Sequence, residues 1–94
     1  MFILQIEHEV LSFEGWKKAF ENDPIDRKKA GVRHYSIFQR TDNPNFVVID
    51  LSFDNLNEAE NTLTSLKKLW VNIAGKIMIN PLVRILKMVE SKDI

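Results

Sequence analysis

Apolar and polar side chains alternate from Phe2 to Val10. Phe2, Leu4, Ile6, His8 and Val10 fall on one side, and Ile3, Gln5, Glu7 and Glu9 on the other. A period of two over this length predicts a half-buried strand. At Ser12 the period changes. Phe13, Trp16, Lys17 and Phe20 recur at helical spacing and predict a helix from Ser12 to about Asn22, with the Ser12 hydroxyl capping the first turn. Asp23-Pro24 predicts a second helical start, Asp23 as cap and Pro24 at the first helical position, where a missing N–H costs nothing. Asp26 suits the positive end of that short segment, which stops at Gly31. Residues 32 to 40 and 46 to 53 read as two strands, joined by the turn formers Thr41-Asp42-Asn43-Pro44-Asn45. Asn55 and Glu58 have the spacing of a capping box. After them Leu56, Ala59, Leu63, Leu66, Trp70 and Ile73 make the apolar stripe of a long helix that ends near Gly75. Pro81 closes the next loop, and Leu82 to Glu90 reads as a final strand.

The order β-α-β-β-α-β predicts an α+β fold of the ferredoxin-like kind. A four-stranded antiparallel sheet carries two helices on one face, in a single domain over residues 1–94. A sheet covered on one side should be polar on the other, and this one is only partly so. The third strand sets Val47, Ile49, Leu51 and Phe53 on one face, yet Phe46 and Val48 join Asp50 on the other. The last strand sets Val83, Ile85 and Val89 against Leu82, Leu86 and Met88. Two helices cannot cover both faces. A second copy of the sheet, packed by two-fold symmetry, is the simplest cover, and a monomer with a few exposed aliphatics is the alternative.

Composition narrows the chemistry. Thirteen basic and thirteen acidic side chains cancel, which leaves no basic field for phosphate backbones and argues against nucleic acid. No run approaches the roughly 20 apolar residues of a membrane span. The expected setting is therefore a soluble protein of the cytoplasm. With no cysteine among 94 residues, disulfides and thiolate chemistry are excluded. Three glycines are too few for a dinucleotide fingerprint.

The strand-to-helix corner carries the best candidate residues. His8 can serve as a general base or bond a carbonyl, with a reference pKa of about 6.5; it can equally be a strand-end residue bonded to backbone. Trp16 and Phe20 can wall a pocket, fill the core, or do both. Arg27 can clamp a carboxylate or phenolate, or pair with Asp23. His34 faces either the helices or the far side of the sheet, since one residue of slip reverses it. A His8–His34 metal pair would lack the third protein ligand that catalytic zinc needs. Asp50, inside an apolar run, is expected to pair with Arg33 or Arg84 on the far side of the sheet, with the role of an acid–base group as the alternative if it faces the pocket.

With these elements in place, the chain resembles the dimeric α/β-barrel superfamily, which includes the antibiotic-biosynthesis-type monooxygenases and small cyclase-like proteins. The resemblance runs over nearly the whole chain. It rests on His8-x-Val10, Ser12-Phe13-x-x-Trp16-Lys17-x-x-Phe20, Arg27-x-x-x-Gly31-Val32, Asp42-x-Pro44-Asn45, Phe53, Ala59 and Ala74-Gly75. It implies a homodimer whose two sheets form a barrel, with a pocket between helices and sheet in each subunit. The haem-degrading branch has an Asn near the end of the first strand and a His on the second long helix. Here the first strand reads Glu7-His8, and the helix of Trp70 holds no histidine. The quinol-oxidising branch needs neither metal nor cofactor. The expectation is thus a homodimeric barrel protein, without cofactor, binding a small apolar or aromatic molecule through Trp16, Phe20, Arg27 and His34, with His8 as candidate catalytic group. The alternatives are a cofactor-independent monooxygenase acting on a quinol-like aromatic, and a structural or regulatory dimer whose pocket is filled.

Overall fold

The computed structural model describes residues 1–73 and 79–94. The elements run β1 (Phe2–Glu9), α1 (Phe13–Glu21), α2 (Arg27–Ala30), β2 (His34–Arg40), β3 (Asn43–Phe53), α3 (Leu56–Ile73) and β4 (Ile79–Lys87). The strands form one antiparallel sheet in the order β2-β3-β1-β4. This is the α+β arrangement that the pattern predicts. Gly75 and the Ala74-Gly75 step lie outside the described residues, as does the side chain of Ile73.

The alternation of β1 and β3 translates directly into faces. Leu4, Ile6 and His8 lie opposite Leu51, Ile49 and Val47, and all six are buried under the helices. Trp16 of α1 and Ala59 of α3 close this core from above. Ser12 caps α1 as expected, its Oγ accepting from the Gly15 N–H at 3.3 Å. Asn55 and Glu58 form the reciprocal cap of α3: the Glu58 N–H donates to Asn55 Oδ1 at 2.9 Å, and Asn55 Nδ2 donates to the Glu58 carboxylate at 2.7 Å. Leu56, in the first turn of α3, is exposed and does not belong to the stripe.

Three boundaries differ from the sequence reading, each for a backbone reason. The one-turn helix α2 begins at Arg27 rather than Pro24. Its cap is Asp26, held in the left-handed region at φ 54, with Oδ1 accepting from the Lys29 N–H. Asp23, also left-handed at φ 51, accepts the Arg27 N–H at 2.9 Å from outside the helix. The turn between β2 and β3 is only Thr41-Asp42, and Asn43-Pro44-Asn45 belong to β3, where the register slips between Gln39 and Arg40. Pro81 lies within β4, which ends at Lys87 and leaves Val89 exposed beyond it. β4 is an edge strand, and its pairing with β1 slips between Glu7 and Glu9, beside the left-handed Asn80 at φ 51. An edge bulge is where a strand tolerates proline, because no ladder bond is lost there.

Gly31 ends α2 at φ 103. A side chain here would be strained by its backbone and would also collide with the Glu58 carboxylate. The left-handed turn out of α2 is what requires glycine here, since the Glu58 side chain could swing aside but the backbone angle is fixed.

Candidate functional site

Four rings and a guanidinium follow one another along the underside of α1. His8 meets Trp16 edge-on, with centroids 5.9 Å apart. Trp16 stacks on Phe20 at 5.3 Å, and Phe20 meets Tyr35 edge-on at 5.1 Å. The Arg27 guanidinium covers the Phe20 ring at 3.9 Å and stands 5.2 Å from the Tyr35 centroid. The helical spacing of Trp16 and Phe20 generates the middle of this row, the parity of β1 supplies His8, and the turn into α2 supplies Arg27.

Beside the row lies a cavity of about 260 Å³. Its floor is Ile6, Ile49 and Leu51 of the sheet; its walls are Trp16 and Phe20 of α1 and Leu66, Leu69 and Trp70 of α3; and Pro24 and Ile25 border it from the α1–α2 connection. His8, Asn22 and Arg27 are the polar residues among the described lining. Trp16 is therefore core and wall together, because its ring is buried in the core and also lines the cavity.

His8 is 1% exposed. Burial holds its imidazole below the usual range, against the smaller opposing pull of a hydrogen bond to the Glu9 carbonyl. That bond runs from Nδ1 to Glu9 O at 3.1 Å. A carbonyl only accepts, so the neutral ring carries its proton on Nδ1 and keeps Nε2 as an acceptor. At neutral pH the residue is an uncharged base.

Arg27, with its side chain 17% exposed, donates from Nη1 to the Phe20 carbonyl at 2.7 Å, and its Nε stands 3.5 Å from Asp23 Oδ1. Arg27 thus pairs with Asp23, as one reading of the sequence expects, and it also lines the cavity.

His34 does not join this group. It lies opposite Ser52, in register with Ser36–Asp50 and Phe38–Val48, which places it on the face of the sheet away from the helices. His8 faces the helices, so the two histidines are on opposite sides of the sheet and cannot share a metal. No group of three or more metal-ligating side chains occurs among the described residues. Tyr35, the neighbour of His34, is the residue that sequence reasoning missed. It pairs with Leu51 and so turns toward Phe20 and Arg27. The signal that could have found it was the shared parity of Tyr35 and Ile37, given the hairpin register.

The far face carries its own polar arrangement. Gln5 Nε2 donates to Asp50 Oδ1 at 3.0 Å, Arg84 Nη1 donates to Gln5 Oε1 at 2.5 Å, and Arg84 Nη2 donates to Glu7 Oε1 at 3.0 Å. Asp50 thus reaches Arg84 through Gln5 rather than directly, and Arg33 pairs with Asp54 at 2.8 Å. Around this ladder Phe38, Leu82 and Leu86 are exposed. No helix among the described residues is long and apolar enough to cross a membrane.

No family model matches the chain, and no curated protein matches it. Solved structures do. A protein from Deinococcus radiodurans assigned as an antibiotic biosynthesis monooxygenase superposes with a TM-score of 0.65 at 14% identity, over 100% of this chain and 98% of that one. A protein of the same assignment from Nitrosomonas europaea gives 0.63 at 14% identity, over 96% of this chain and 100% of its own. A dimeric ferredoxin-like protein from an uncultured marine organism gives 0.62 at 10% identity, over 98% and 97%. At these identities the likeness is one of fold, and the chain has the ferredoxin-like α+β fold of these antibiotic biosynthesis monooxygenase-like and dimeric ferredoxin-like structures.

Proposed function

We propose that the protein binds a small apolar or aromatic molecule in the helix–sheet cavity, and that it works as a homodimer whose sheets pack through their open faces. The observation that carries the ligand reading is the cavity itself. An apolar space of about 260 Å³ between helices and sheet is what a small ring system fills, and it counts against a dimer with a filled pocket. The half-apolar far face supports the pairing of sheets, and one structural neighbour is itself described as dimeric. The test of the cavity is thermal melting and calorimetric titration with naphthalene-sized aromatics. Trp16→Ala, which removes the wall, is expected to abolish any shift seen in the native chain. No shift in the native chain with any such compound overturns the reading.

A second reading has its own support in His8 and in the fold shared with proteins assigned as monooxygenases. Buried and neutral, His8 would take a proton from a ring hydroxyl and leave an electron-rich anion to react with oxygen. One oxygen atom would enter the ring carbon, and the other would leave as water with the two hydrogens lost. Oxygen uptake with an anthrone or quinol in metal-free buffer, reduced by His8→Ala, is the expected result. An unchanged rate in the variant removes His8 from the role.

A further inference from the structure

The polar groups of the cavity are unequal, and their inequality points to the ligand's own polarity. Among the described residues that line it, Arg27 is the only charged one. Its five N–H donors are incompletely used. Nη1 gives one bond to the Phe20 carbonyl, and the Asp23 carboxylate stands 3.5 Å from Nε, beyond an ordinary hydrogen bond. No acceptor for Nη2 occurs among the described residues. The group is also held in place: it stands over the Phe20 ring at 3.9 Å with Tyr35 at 5.2 Å and donates to the Phe20 carbonyl, so little freedom would be lost on binding. His8 lies at the other end of the aromatic row, neutral, with Nε2 an acceptor.

From this arrangement we infer that the cavity selects an anionic aromatic, a one- or two-ring compound with a carboxylate or equally acidic group seated on the Arg27 guanidinium, and that Asp23 is the built-in rival for that seat. The inference rests on the cavity being the ligand site. Size agrees with the class, since an apolar cavity of about 150 Å³ takes one benzene ring and this one measures about 260 Å³. Electrostatics agree as well: a guanidinium with apolar walls attracts an anion more strongly than one in open water does. Asp23 Oδ1 accepts the Arg27 backbone N–H at 2.9 Å from a left-handed backbone at φ 51, but stands 3.5 Å from the guanidinium Nε, too far for a hydrogen bond to the side chain. It is a loose partner that a better-placed carboxylate can displace.

The test compares 2-naphthoate with the neutral, equally sized 2-naphthamide by calorimetry at pH 7 and low salt. The native chain is expected to bind the acid about 10- to 100-fold more tightly, the range of one or two charge-assisted hydrogen bonds. Arg27→Gln should erase that preference while amide binding stays. Because Arg27 also holds the connection between the helices, Asp23→Asn gives a second reading that keeps this contact: an amide oxygen still accepts the Arg27 N–H, and asparagine tolerates the left-handed backbone. It should tighten the acid severalfold and leave the amide unchanged. Equal affinity for both compounds, or a preference that survives Arg27→Gln, overturns the assignment while the cavity reading stands. Binding of neither compound overturns both.

Discussion

On the helix side of the sheet Leu4, Val47 and Phe53 are fully buried, and the polar side chain that β1 sends among them, His8, has lost its charge. On the other side Asp50, Gln5, Arg84 and Glu7 are joined in a ladder between apolar neighbours. One strand, β1, supplies both arrangements from alternate positions. The difference shows how a polar group survives in each setting. Under the helices β1 places one polar side chain, the His8 imidazole, whose charged form burial disfavours and whose Nδ1 bonds one backbone carbonyl. On the open face opposite charges and an amide satisfy one another, and half of the surface still meets water. A face arranged in that way can be wetted or covered. The helix face has only one state, apart from its cavity.

Substituting matched residues on the two faces gives the largest expected contrast. Phe53, 0% exposed on the helix side, should cost about 3–5 kcal/mol on truncation to alanine. Phe38, 50% exposed on the open side, should cost less than about 1 kcal/mol in the dilute monomer. Urea unfolding of both variants at low protein concentration measures this, and equal losses would break the distinction between the faces.

Phe38→Glu asks a separate question of the open face. It places a charge among Val48 and the other apolar residues without touching the helix-side core. Sedimentation should show the native chain as a dimer and the variant as a monomer, with an unfolding midpoint that no longer depends on concentration. A variant that sediments as the native chain does would remove the open face from the interface.

The smallest effect belongs to His8. Its folded pKa lies below the unfolded value of 6.5, so the unfolded chain binds more protons between the two. Its contribution to stability is complete above pH 6.5 and is lost as pH falls through 6.5 toward the lower folded value. Stability should therefore drop from pH 7.5 to 5.5, a window above most carboxylate titration, and His8→Gln should flatten that slope. An unaltered slope would place the imidazole in water.

The sequence made one face far more legible than the other. The period of two in β1 and β3 groups Leu4, Ile6 and His8 on one face of the first strand, and Val47, Ile49 and Leu51 on one face of the third, from parity alone. The pairing of the two strands joins these sets under the helices. The capping box at Asn55 and Glu58 was equally plain, because its chemistry is local. Register across the β2–β3 hairpin was not legible. The extra residues Asn43, Pro44 and Asn45 read as a turn although they continue β3, and the positions of His34 and Tyr35 both depend on that slip. The start of α2 was hidden for a related reason. Asp-Pro is a common helix start, and nothing in the residue types reveals that Asp23 and Asp26 adopt positive φ. Half of the candidate site, Trp16, Phe20 and His8, came from local periodicity. The meeting of Arg27 with Tyr35 needed the tertiary structure.

The bulge of β4 has a bearing on how copies of this chain can meet. A free strand edge is a template for another strand, and sheets that grow edge to edge form open-ended fibres. At the outer edge of β4 Asn80 turns the backbone into the left-handed region, and Pro81 has no N–H to lend to an incoming strand. Lateral growth on that side is interrupted partway along the strand. Association by the face is a closed operation that stops at two, so the bulge favours a countable assembly over an aggregate.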